Sequence, residues 1–311
     1  MARGKRLLTL FLFTLVVVLL FTLVKNLQWQ EVSQALQSFS PATLLLCLAI
    51  TAASFCLFGS YDLLGRAYTG HRLPARQVIP VAFVCYAFNL NLTAWIGGVA
   101  LRYRLYSRLG LDLATITRVL SFSLVTNWIG YMMIAGMVFA SGLLELPEYW
   151  KIGVAGLQWI GVALVLAALG YLLACRFARR RSWHFRGHRL PLPSLRLALL
   201  QMGLAMLNWS LSSLVVYLLL PSPVTYPTVL GIMLISSIAG VVTHIPAGLG
   251  VLETVFIALL QHQASKAAVL AALIGYRAIY LLLPLLVACI VYLLLEKQAK
   301  DSPARQPEPH R

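Results

Sequence analysis

Uncharged apolar runs long enough to cross a bilayer recur from one end of this 311-residue chain to the other. A hydrocarbon core is about 30 Å thick, and a helix rising 1.5 Å per residue needs about 20 residues to span it. Eight segments are candidates: 7–24, 42–64, 78–101, 117–143, 152–175, 195–220, 227–262 and 267–295. Composition agrees, with 60% of residues apolar and 11% charged, against roughly a quarter charged in a soluble domain. The chain therefore reads as an all-α polytopic membrane protein with a single integral-membrane domain and a polar tail over 296–311. The first segment follows Arg3, Lys5 and Arg6 and outlasts an ordinary signal-peptide core. Lys25-Asn26-Leu27-Gln28 after it carries no small-residue cleavage site, so a retained anchor is expected.

The net charge of +16 does not point to nucleic acid, because the basic residues fall in short loops between apolar spans. Of 25 Lys and Arg residues, 21 lie in the N-terminus, loops 65–77, 102–118 and 176–196, and the tail. Eight single crossings would put loops 102–118 and 176–196, with eleven positive charges, outside. That violates the rule that short cytoplasmic loops hold the Lys/Arg excess. If segments 78–101 and 227–262 each enter the membrane and return to the face they came from, all 21 basic residues become cytoplasmic, as do both termini. The predicted architecture is six full transmembrane helices plus two opposed re-entrant hairpins.

Both segments carry residues suited to a turn inside the membrane. The first has Asn89, Asn91 and Thr93 ahead of Gly97 and Gly98; the second has Thr243 and His244 ahead of Pro246, Gly248 and Gly250. Non-helical backbone survives at membrane depth only where protein or a polar cavity satisfies it. Two ordinary helices kinked at glycine are the alternative. With the hairpins, the order span, span, hairpin, span recurs in 7–143 and 152–295. Three crossings per half make the second copy inverted, as in secondary transporters whose sites form at broken helices near the midplane. Gly97 and Gly248 share the register of this repeat, as do Arg102 and Glu253, and Asn127 and Arg277.

Arg277 lies eleven positions beyond Lys266, about 15 Å into the membrane. A central Arg costs about 2.5–3.5 kcal/mol on insertion scales, so a partner in the bundle interior is expected. Glu253 is the natural one, being the sole carboxylate between Glu148 and Glu296. A substrate site in which Arg277 meets an anionic headgroup and a structural ion pair are both open readings. Arg102 and Asn127, the register counterparts in the first half, and His244 at the second turn complete the candidate substrate-binding set. Asp62 has Arg66, Arg102 and Arg104 as possible partners and reads as structural. Trp29, Val32, Leu36 and Phe39 mark one face of an amphipathic helix on the outer interface.

The five cysteines form no CxxC and read as small buried hydrophobes. His184 and His188 have i,i+4 spacing but no acidic neighbour, so no metal site is expected. No GxxxxGK[ST], HExxH or GxSxG occurs, so neither a nucleotide, another cofactor nor enzymatic chemistry is expected.

Ile96-Gly97-Gly98-Val99-Ala100-Leu101-Arg102-Tyr103-Arg104-Leu105-Tyr106 resembles the first signature of the membrane domain of lysylphosphatidylglycerol synthase/flippase proteins. Ile245-Pro246-Ala247-Gly248-Leu249-Gly250-Val251-Leu252-Glu253 resembles the second, and Tyr276-Arg277 with Tyr280 and Pro284 fits the helix that follows. The resemblance covers nearly the whole chain and is strongest to stand-alone bacterial inner-membrane members. It implies movement of a phospholipid or lipid-linked headgroup across the inner membrane. The chain ends about 15 residues after the last span, so it is expected to lack the soluble synthase domain of longer members and lysyl-transferase activity with it. A secondary transporter of a small polar solute, and a non-catalytic membrane partner of a lipid-modifying enzyme, are the alternatives. The expected partner is membrane phospholipid, with a lipid-modifying enzyme as a further possible one.

Overall fold

A computed structural model describes residues 29–92, 98–144, 153–178, 182–185, 188–221, 223–243, 248 and 250–301. The expected span over 7–24 and the turn residues Gly97, His244 and Pro246 lie outside this set.

The described helices are α1 (Trp29–Gln37), α2 (Pro41–Thr69), α3 (Ala75–Asn91), α4 (Leu101–Arg108), α5 (Leu113–Ala140), α6 (Val154–Phe177), α7 (Leu195–Leu219), α8 (Tyr226–Thr243), α9 (Val251–Leu260), α10 (Lys266–Tyr276) and α11 (Leu283–Asp301), the last two joined by a π-helical turn, Arg277–Leu282. Four of the long helices start the same way. Ser40, Asp112, Ser194 and Ser265 each accept the N–H three residues on with their side-chain oxygen, satisfying a donor that has no intrahelical partner.

Six helices are long and apolar enough to cross a membrane: Pro41–Thr69, Leu113–Ala140, Val154–Phe177, Leu195–Leu219, Tyr226–Thr243 and Lys266–Gln298. The protein is thus a helical, polytopic membrane protein. Five of the six match expected crossings, and Tyr226–Thr243 is the first limb of the expected second hairpin.

Three close pairings fix the bundle. Helices α2 and α7 run antiparallel, with the Cys47 thiol near the Val215 carbonyl and Ser54 bonded to Asn208. Helices α5 and α7 run parallel: Gly130 backs onto Ala205, and Gln201 donates to Thr126 at 2.8 Å. Helices α5 and α6 cross at Gly136 and Gly161, where an added Cβ on Gly136 would come within 2.6 Å of Val165 and 2.9 Å of the Gly161 carbonyl. Between apolar helices in lipid the hydrophobic effect gives no attraction, so close backbone approach over small residues has to supply the packing.

Two helix pairs double back on themselves. His71 and Leu73, just before α3, lie beside the end of α4, with the His71 and Tyr106 rings 6.4 Å apart. The start of α8 (Thr225, Thr228) and the end of α9 (Leu259, Gln263) line one small cavity of about 210 Å³ with Leu143 and Leu144 beyond α5. The α3–α4 pair therefore opens at the end of the bundle where α5 begins, and the α8–α9 pair at the end where α5 finishes.

Helix α1 turns part of its expected apolar face inward: Ala35 is buried, Leu36 and Phe39 pack against the core, and Phe39 lies over Gly275 of α10. Two expectations are corrected. Loop 176–196 contains an antiparallel hairpin, β1 (Ser182–Phe185) with β2 (His188–Pro191), in which His184 opposes Arg189. The i,i+4 relation of His184 and His188 therefore has no helix to act on. Cys56 is exposed, whereas Cys47, Cys85 and Cys175 are buried. An apolar thiol can face hydrocarbon without cost, so burial was not required of it.

Candidate functional site

Local backbone chemistry builds the site at the start of α9. Gly248 (φ +58°) and Gly250 (φ +79°) both occupy the left-handed region, which side chains with a Cβ disfavour. That bend turns the chain into α9 and leaves the Gly250 N–H facing Glu253, whose Oε2 accepts it at 2.9 Å. The carboxylate is thereby aimed at the last long helix. Arg277 meets it bidentately, Nε to Oε1 at 2.7 Å and Nη2 to Oε2 at 3.1 Å, and Nη2 also donates to the Gly248 carbonyl at 3.3 Å. Such fork-to-carboxylate pairing gives geometric specificity as well as energy.

Arg277 opens the π-helical turn Arg277–Leu282, where one wide turn replaces regular α-helix. Asn91 supports that turn from α3: its amide donates to the Leu281 carbonyl at 3.0 Å and to Ala87 at 2.8 Å. The expectation that Asn91 serves an intramembrane turn thus takes a specific form, since it satisfies backbone of its own helix and of the broken helix opposite. Gly98 lies close to the same helix, α3, since a Cβ there would come within 2.8 Å of the Asn89 side-chain Oδ1, which would have to shift.

The pair is not sealed. The Arg277 and Glu253 side chains keep 14% and 21% of their surface, and Val241, Val242 and Thr243 at the end of α8 are exposed. A charged, geometrically fixed pair thus opens beside an outward-facing apolar helix end.

Arg102 goes elsewhere. Its Nη2 donates to Asp62 at 2.8 Å, and the same carboxylate accepts Tyr106 OH at 2.7 Å and Ser123 Oγ at 3.0 Å. Asp62 is fully buried and Arg102 nearly so, with the guanidinium 5.0 Å from the Tyr86 ring centroid. This cluster ties α2, α4 and α5 together. Asn127 lies half-buried on α5, and it is not one of the partners of Arg277 described above, Glu253 and Gly248. Of the predicted site residues, then, Glu253, Arg277, Gly248 and Gly250 come together, and Arg102 belongs to a separate closed cluster.

Two polar groups escaped the sequence reading. Ser54 Oγ bridges Asn208 Oδ1 and Tyr280 OH, both at 2.6 Å, joining α2, α7 and the π turn in the bundle interior. Glu296 on α11 accepts Arg104 Nε at 2.9 Å and also pairs with Arg108, clamping α4. The signal for the first was three hydroxyl or amide side chains within apolar spans. Beyond these bonds, Tyr61 OH, Tyr86 OH and Arg102 Nε are buried without a partner among the described residues. Nor do those residues contain a group of three or more His, Cys, Asp or Glu placed to hold a metal.

The family described as the lysylphosphatidylglycerol synthase transmembrane region matches residues 7–288. The chain belongs to this family. It is 47% identical over 303 residues to the inner membrane protein YbhN of Escherichia coli K12, covering 97% of this chain and 95% of that protein. It is 31% identical over 260 residues to the uncharacterised protein slr0712 of Synechocystis, covering 83% and 80% respectively. With six membrane-capable helices, this family member is a multi-pass protein of the inner membrane.

Proposed function

We propose that the protein is a flippase-like lipid translocase, passing a phospholipid or lipid-linked headgroup across the inner membrane past the Glu253–Arg277 pair. The carrying observation is the partial exposure of that pair beside the outward-facing end of α8. A headgroup could reach Arg277 sideways from the bilayer while its acyl chains stay in lipid. A transporter of a small solute would need an enclosed aqueous site instead, so the geometry favours the lipid reading.

In this reading α3–α4 and α8–α9 are re-entrant hairpins opening to opposite faces, and the chain is an inverted duplication. The shared register of Arg102 with Glu253 and the antiparallel course of α2 and α7 support it. Both termini are cytoplasmic by the Lys/Arg distribution. The chain carries no P-loop of its own and performs no chemistry on the lipid, so movement is downhill or coupled to an ion gradient.

The test separates transport from scaffold. Glu253→Gln and Arg277→Gln each leave one charge without its partner and should lower protein level. The double substitution should restore level, yet stay inactive when reconstituted vesicles are scored for access of an outside quencher to labelled phospholipid. Full activity in the double variant would refute headgroup binding by Arg277.

A further inference from the structure

At the basic end of the bundle, where α2 finishes and α3 begins, lies an open cleft of about 620 Å³ remote from the Glu253–Arg277 pair. Its mouth is built by a reversal of the chain. Gly70 (φ +73°) ends α2 with its N–H on the Arg66 carbonyl at 2.9 Å, and the turn brings His71 and Arg72 onto the same cleft as Arg66.

The two arginines have no counter-charge among the described residues. Arg102, Arg104 and Arg108 are each paired with a carboxylate, whereas among the described residues Arg66 and Arg72 have none within 4 Å. His71 is unusual in another way: both its ring nitrogens are buried, and neither has a hydrogen-bond partner among the described residues. Burial first, and then the charge of Arg66, hold its pKa below the usual histidine value, so at neutral pH the ring offers one donor and one acceptor. Two guanidiniums opening on one cleft without a carboxylate partner among the described residues are matched by an anionic oxygen ligand.

The other wall of the cleft indicates what kind of molecule carries that anion. Leu63 and Ala67, one helical turn apart on α2, extend it from the basic mouth toward the membrane-spanning part of the helix. A soluble anion has no use for that apolar wall; a phospholipid fits both parts at once. We propose that this cleft binds the phosphate of an anionic phospholipid from the leaflet at the basic face, held by Arg66 and Arg72. The site is independent of lipid translocation, since it would hold a lipid whether or not the protein moves one.

The experiment is a binding titration of the purified full-length protein in neutral detergent with phosphatidylglycerol, with phosphatidylcholine and inorganic phosphate as comparators. The phosphatidylglycerol affinity should fall at least about tenfold in Arg66→Gln/Arg72→Gln. It should hold in Arg176→Gln/Arg196→Gln, which removes two exposed arginines from the end of α6 and the start of α7. Unchanged binding in the first variant, or an equal loss in the control pair, overturns the site. Displacement of the lipid by equimolar inorganic phosphate overturns the lipid assignment and leaves a soluble anion as the occupant. Should the double variant fail to accumulate, photo-crosslinking of the wild-type protein with an azido-phosphatidylglycerol decides. Label on the 63–75 peptide supports the proposal, and its absence there refutes it.

Discussion

Removing the Asp62 carboxylate should be among the most damaging single changes in the protein, and the reason is electrostatic rather than functional. Asp62 is completely buried and Arg102 nearly so. The Asp62→Ala variant leaves a guanidinium in a low-dielectric interior with only an aromatic face beside it, at a cost of about 3–5 kcal/mol. It also strips Tyr106 OH and Ser123 Oγ of their acceptor, adding roughly 1 kcal/mol for each hydroxyl. The sum, about 5–7 kcal/mol, compares with about 1 kcal/mol for Ser123→Ala, which loses one neutral donor. Equilibrium unfolding of the purified protein in mixed micelles measures both. The decisive variant is Asp62→Leu with Arg102→Met, which removes both charges and keeps the volume filled. It should recover most of the loss, because a matched buried pair contributes little beyond what apolar packing gives. A loss under about 1 kcal/mol for Asp62→Ala would mean that water reaches the cluster and would refute this reasoning. Recovery of stability without recovery of lipid movement would return Arg102 to the substrate-binding set.

Gly130→Ala should destabilise by about 1–3 kcal/mol, because its Cβ collides with Ala205 and lies 2.9 Å from backbone on α7, while Gly203→Ala on the same α7, facing open space, should be neutral or stabilising in the same unfolding assay. Asp112→Ala should cost up to about 1 kcal/mol by uncapping α5. Hydrogen bonding from Thr115 holds the Asp112 pKa below its ordinary value, so this contribution is present above about pH 4 and is lost as the pH falls below it; melts of wild type and variant should converge there. Cysteines placed at Ser107 and Ser182 in a Cys-free protein should resist an impermeant thiol reagent added outside intact cells; labelling at Ser107 alone would replace the first hairpin by a full crossing.

Apolar length and charge placement made the membrane class and the helix order legible in the sequence, since both are properties of local composition. The Glu253–Arg277 pair was legible for a different reason: scarcity. With one carboxylate available between residues 148 and 296, a buried Arg277 left little choice of partner. What could not be read was rotational phase. A span that is apolar all round shows no stripe to say which side faces the bundle. Helix α6, only 17% buried over its most apolar window, looks in sequence much like α5 at 61%. Without phase, the meeting of Ser54 with Asn208 and Tyr280 across three helices was beyond reach, as was the reach of Arg104 to Glu296, 192 positions away. The exposed Cys56 belongs to the same class of miss.

The register of the two halves separates their roles. In the proposed inverted duplication Arg102 and Glu253 hold equivalent positions, each within the first turn of its helix, α4 and α9 respectively. Arg102 finds its counter-charge on α2 and an aromatic lid, Asp62 also accepts a hydroxyl from α5, and the cluster is shut off. Glu253 finds its counter-charge on a helix that breaks into a π turn at that very residue, and the pair keeps partial exposure. A buried pair with every carboxylate oxygen engaged cannot exchange partners without leaving a bare charge. A partly open pair can: on the proposed function, an incoming phosphate would replace the carboxylate on Arg277 while Glu253 keeps the Gly250 N–H. On this view the first hairpin is the fixed half against which the second works. Removing one partner of the Asp62–Arg102 pair should then change stability, and neutralising both members of Glu253–Arg277 should change transport.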